Sequence, residues 1–203
     1  MSERARRLHG WDVVGTATLS IVVLVTAILL TAGLHGAGLR AVIRATARTS
    51  FILFVAAFVA PALDALLART WTRWLRRHEA ALFVSFAVSH LVHALAILLL
   101  VAATAGASWR AVGASQIYGG GLAYVFIIWL AVANLVGANF ERRRWRQLRS
   151  FALYYIWFIF MFSYGSRAAV SLRFAPLALI LLVALALRLA SAYTRRPVLQ
   201  EAH

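Results

Sequence analysis

Six apolar runs, at about residues 11–34, 51–67, 80–104, 120–140, 151–164 and 174–193, alternate along the chain with short polar segments. Apolar runs of this kind, with at most one charged residue each, predict transmembrane helices, because about 20 apolar residues suffice to cross the hydrocarbon core. The expected fold class is therefore all-α and integral to the membrane, a bundle of six transmembrane helices. The first run follows Arg4, Arg6 and Arg7 and could be mistaken for a signal peptide. It is too long for the apolar region of one and lacks a clear small-x-small cleavage site, so a retained helix with Trp11 at the interface is expected. The domain reading is a basic N-terminus at 1–10, one transmembrane domain at 11–193 and a tail at 194–203.

The polar segments carry arginine. Arg40, Arg44 and Arg48, four residues apart, predict one face of a short interfacial helix within residues 35–50. A second segment, residues 69–79, combines arginines with Trp71 and Trp74, a pattern suited to the headgroup layer. The densest run holds Arg142, Arg143, Arg144, Arg146 and Arg149. Most arginines fall in the N-terminus, the second and fourth connections and the tail, which by the positive-inside bias places both termini in the cytoplasm. A bacterial inner membrane is the expected location.

Composition narrows the chemistry. The chain is 63% apolar, outside the range of soluble domains, and has no cysteine, which excludes disulfides, iron–sulfur clusters and thiolate ligands. All 21 basic residues are arginine, so no lysine is present to form a Schiff base with retinal or pyridoxal. The net charge of +15 reads as topology signal and anionic-lipid contact, not nucleic-acid binding. Gly119, Gly120 and Gly121 follow no strand and form no nucleotide fingerprint.

The third run contains His90 and His93, one helical turn apart. Ionisable groups are expensive in hydrocarbon and point to a site with partners. Ser85, Ser89, Asn134 and Tyr155 are the candidate partners, and Asn139 is a further polar residue in the fourth run. Pro61 and Asp64 predict a kink or an end to the second helix, and Asp64 is expected either to relay protons or to pair with an arginine of the second connection, Arg69 lying only a turn or so away. Arg188 needs a carboxylate or a backbone carbonyl inside the bundle. Phe151, Tyr154, Tyr155, Trp157, Phe158, Phe160, Phe162 and Tyr164 surround the fifth helix, which favours packing and lipid contact over a single functional stripe.

The chain from about Thr46 to Tyr164 resembles the ferric-reductase-like transmembrane domain family, in particular its haem-binding membrane subunits of bacterial methionine sulfoxide reductase systems. The resemblance rests on Thr46-Ala47-Arg48-Thr49 before the second run, Arg76-Arg77 before the third, His90 thirteen residues after Arg77, and Trp145-Arg146-Gln147-Leu148-Arg149 at the mouth of the fifth. It implies b-type haem held between the third and fifth helices, with His90 as metal ligand. The family's facing histidines fall on Arg149 and Phe162, and arginine and phenylalanine are not iron ligands.

Three roles stay open for the pair. One histidine could ligate a haem, alone or with His35 or His78 as an unexpected second ligand. Both could be hydrogen-bonded links between helices, or they could meet the carbonyls of a quinone headgroup. Arg149 is read as a snorkelling interface residue, or as the partner of a haem propionate or a lipid phosphate. The cofactor expected is haem b or none. The resemblance implies an electron-transfer module of low haem content, working with a separate redox partner. The competing expectation is a non-redox binding, assembly or transport-associated subunit on the same scaffold.

Overall fold

The computed structural model describes residues 3–104, 114–136 and 142–194. Asn139, the segment 105–113 and the tail arginines Arg195 and Arg196 lie outside the described residues. Within them the chain forms seven α-helices and no strand: α1 (Glu3–Ala32), α2 (Gly36–Leu67), α3 (Thr70–Arg77), α4 (Glu79–Ala103), α5 (Ala114–Leu135), α6 (Arg143–Val170) and, after a 3₁₀ turn at Leu172–Phe174, α7 (Ala175–Thr194).

Five stretches are long and apolar enough to cross a membrane: Gly10–Ala32, Gly36–Leu67, Glu79–Ala103, Tyr118–Leu135 and Leu172–Thr194. The fifth run expected from sequence sits inside α6, whose arginines and interspersed tyrosines and tryptophan dilute its apolar character. Large side chains such as Leu91, Leu95, Leu98, Ile180, Leu182 and Val183 stand exposed along the outer faces. Such surfaces are stable in lipid, where every backbone polar group must already be satisfied within its helix.

The largest departure from the sequence reading is α2. Residues 35–50 do not form a separate interfacial helix; α2 continues through them for 32 residues, about 48 Å at 1.5 Å per residue. Arg40, Arg44 and Arg48 are exposed, while Leu39, Val42, Thr46 and Ser50 are buried, so the same stretch is amphipathic and its inner face enters the bundle. Pro61 does not end the helix, which runs on to Leu67 and stops where Ala68 adopts a left-handed conformation (φ 48°) and its N–H bonds the Asp64 carbonyl.

The entry to α2 depends on two glycines. Gly33 turns the chain at φ +77°, and a Cβ on Gly38 would lie 1.9 Å from the Gly33 carbonyl oxygen. Only glycine allows this approach. At the other end, α3 begins with Thr72 Oγ1 accepting the Arg69 N–H at 2.9 Å and donating to the Arg69 carbonyl at 2.8 Å.

One core unites α2, α4, α5, α6 and α7: Phe51, Phe54 and Phe58 meet Phe83 and Phe86, Ile127 and Leu130, Leu153, Ile156 and Phe160, and Leu181. α1 lies to one side; only 6% of its membrane window is buried, with Ile21 as its deepest contact.

Candidate functional site

His93 faces α2. His93 Nδ1 lies 3.0 Å from the Ile43 carbonyl oxygen and 3.2 Å from Thr46 Oγ1. A carbonyl only accepts, so Nδ1 carries the proton; Thr46 Oγ1 in turn donates to the Val42 carbonyl at 2.8 Å. This tautomer leaves Nε2 of His93 with its lone pair. One turn earlier, Ser50 donates to Ser89 Oγ at 3.0 Å and Ser89 donates to the Thr46 carbonyl at 3.3 Å. Together these contacts make a polar seam between α2 and α4, placed there because the unbroken α2 carries Thr46 and Ser50 into the bundle.

Of the partners expected from sequence, Ser89 lies in this seam and the other three are engaged elsewhere. Ser85 bonds the Ala81 carbonyl of its own helix, Asn134 that of Leu130, and Tyr155 that of Gly119. The seam partners the sequence did not single out are the Ile43 carbonyl, a main-chain group with no sequence signature, the Ser50 hydroxyl, and the Thr46 hydroxyl, which lies within the Thr-Ala-Arg-Thr motif.

His90 is different. Its Nδ1 is buried and has no hydrogen-bond partner. Its ring stacks on His93 with centroids 5.3 Å apart and is enclosed by Phe86 at 5.3 Å, Tyr124 at 4.9 Å and Phe160 at 5.9 Å. Tyr124 also donates its hydroxyl to the His90 carbonyl at 3.4 Å.

These residues do not fit a haem sandwiched between α4 and α6. The side chain that α6 presents to His90 is Phe160, which also stacks on Phe54 at 5.2 Å. Phe162, where the expected resemblance would put a histidine, is exposed on the far side of α6, 6.4 Å from Phe158. Rings therefore occupy the space a porphyrin on His90 would need. The other potential ligands are remote. His78 lies twelve residues before His90, about 18 Å along α4, with its ring 4.4 Å from Trp74, and His35 is exposed in the α1–α2 turn.

Arg149, the other position where the expected resemblance would put a histidine, forms an ion pair. It donates to Glu79 Oε1 at 2.5 Å, and Arg76 of α3 pairs with Glu79 Oε2. Glu79 is buried, so one carboxylate ties together the starts of α4 and α6 and the end of α3. The expected Asp64–Arg69 pair does not form; both ion pairs among the described residues converge on Glu79. Arg188 finds a backbone partner, donating to the Phe58 carbonyl at 2.9 Å with its guanidinium 4.7 Å from the Phe58 ring and 5.5 Å from that of Tyr154.

Fold and site together define a polytopic α-helical membrane protein with a polar seam and an aromatic core. No family model matches the chain, and no curated protein or solved structure shows significant similarity to it.

Proposed function

We propose that this chain is a six-span bundle on a ferric-reductase-like scaffold, with both termini in the cytoplasm of a bacterial inner membrane, acting as a non-redox binding or assembly subunit. α6 is the sixth crossing. Arg149 and Arg167 bracket it eighteen residues apart, about 27 Å, close to the thickness of the hydrocarbon core. The observation that carries the functional reading is Phe160. It fills the side of His90 from which a second haem ligand would come, and its phenyl ring has no donor. His93 supports the same reading, being spent on a link to α2 of the kind that holds membrane helices together.

A second reading, an electron-transfer module holding one b-type haem through His90 and served by a separate redox partner, is favoured by one observation: the unpartnered Nδ1. Buried polar atoms are nearly always satisfied. One measurement separates the two. The full chain, expressed with ample haem and purified, gives a colourless preparation on the first reading. A Soret band with split reduced α and β bands, lost in His90→Ala and kept in His93→Ala, would overturn it in favour of the second.

A further inference from the structure

The two ends of the bundle differ in charge. Asp12, Asp64 and Glu79 lie at the end where α1, α4 and α6 begin and α2 and α7 finish. The helix ends are matched by contacts: Gly10 lies against Ala81, Glu79 meets Arg149, and Arg188 meets Phe58. The opposite end carries Arg40, Arg44, Arg48, Arg167 and Arg173, and no acidic residue among the described residues falls there. This is also the end that the positive-inside bias would leave poor in arginine on the proposed orientation.

Within this end the guanidinium groups gather without a counter-charge. Arg167 and Arg173 share the Phe174 ring, at 5.9 and 4.9 Å from its centroid. Tyr164, three residues before Arg167, donates its hydroxyl to the Ala47 carbonyl at 3.5 Å, which holds the end of α6 against the stretch of α2 that carries Arg48. Arg44 lies one turn from Arg48 on the same exposed face. Like charges brought this close repel one another unless an anion sits among them. Planar guanidinium forks suit a phosphate, whose oxygens accept bidentate bonds.

We infer that this acid-free end binds a phosphate group at the membrane surface, with Arg167 and Arg173 as its principal contacts and Arg44 and Arg48 flanking them. The phosphate belongs to an anionic lipid headgroup or to a free anion. The inference rests on these arginines and not on haem binding, so it survives or fails independently of the haem question.

The test uses the full chain purified in a neutral detergent, with native mass spectrometry and thermal shift against phosphatidylglycerol, phosphatidylcholine and inorganic phosphate. The expected result is a retained phosphatidylglycerol molecule, or a stabilisation by inorganic phosphate over chloride. The preference should fall roughly fivefold for each arginine removed in Arg167→Gln/Arg173→Gln, from about 1 kcal/mol per basic residue at an anionic surface. Arg44→Gln/Arg48→Gln, on an exposed helical face, is the second variant should the first not fold, and Arg142→Gln/Arg146→Gln at the other end should keep the preference. Response to phosphatidylglycerol alone identifies a lipid headgroup, and equal response to inorganic phosphate identifies a free anion. No preference for either probe, or an unchanged preference in a folded Arg167→Gln/Arg173→Gln protein, overturns the inference.

Discussion

Replacing Glu79 by glutamine tests what joins α3, α4 and α6. The Glu79 side chain is 7% exposed, Arg149 29% and Arg76 50%. Removing one member of a fully buried pair costs about 3–5 kcal/mol, because the charge left behind loses its compensation. Here the arginines are partly solvated, so the loss is smaller. The Arg76 contact, half in solvent and only three residues away, contributes about 0–1 kcal/mol. Arg149, more enclosed, accounts for most of an expected total of about 2 kcal/mol, and the glutamine oxygen retains one acceptor. In a protein of this size that corresponds to a fall in Tm of about 4–8 °C on the soluble-protein scale. Tryptophan fluorescence during heating in detergent would read it, with Trp74 and Trp145 close to the node. The decisive measurement is a double-mutant cycle with Arg149→Gln, which should give a coupling of about 1–2 kcal/mol, whereas an arginine that merely snorkels would give none. Additive single effects, or an unchanged Tm in Glu79→Gln, would refute the idea that this carboxylate fastens the helices.

Two further substitutions probe the frame around the seam. Gly38→Ala drives a methyl group into the Gly33 carbonyl and should open the α1–α2 turn, seen as faster proteolysis between α1 and α2 and a loss of about 1–3 kcal/mol. Arg188→Leu removes both the bond to the Phe58 carbonyl and the ring contacts, and should lower Tm more than Arg188→Lys, which keeps a donor; equal effects would discount the hydrogen bond.

How much of this was legible in the sequence differs by residue. The helices were, because lipid demands long apolar runs and little else. α2 was misjudged at its start because three arginines drew attention to the outer face, although Leu39, Val42, Thr46 and Ser50 already marked an inner one at helical spacing. Position 162 alone does not say which ring meets His90: the helical face running through Leu153, Ile156, Phe160 and Tyr164 brings Phe160 to it. Arg149 and Arg188 were recognisable as arginines in need of partners, but Glu79 stands 70 residues from Arg149 and the Phe58 carbonyl 130 residues from Arg188. Pairings across such separations are set by how the helices pack, which a single sequence does not record.

The contact between Arg188 and α2 also bears on the order of assembly during synthesis. Helices enter a membrane from the N-terminal side, so α2 arrives long before α4 and α7. Thr46 can wait with its hydroxyl on the Val42 carbonyl of its own helix, the bond it still makes in the finished bundle. Its backbone can then receive Ser89 when α4 follows. The costliest group to place in lipid, the guanidinium of Arg188, comes on the last described helix, after the Phe58 carbonyl and the Phe58 and Tyr154 rings that receive it are in place. Moving this arginine to an early helix would ask a nascent chain to hold an unpartnered charge in hydrocarbon for the rest of translation.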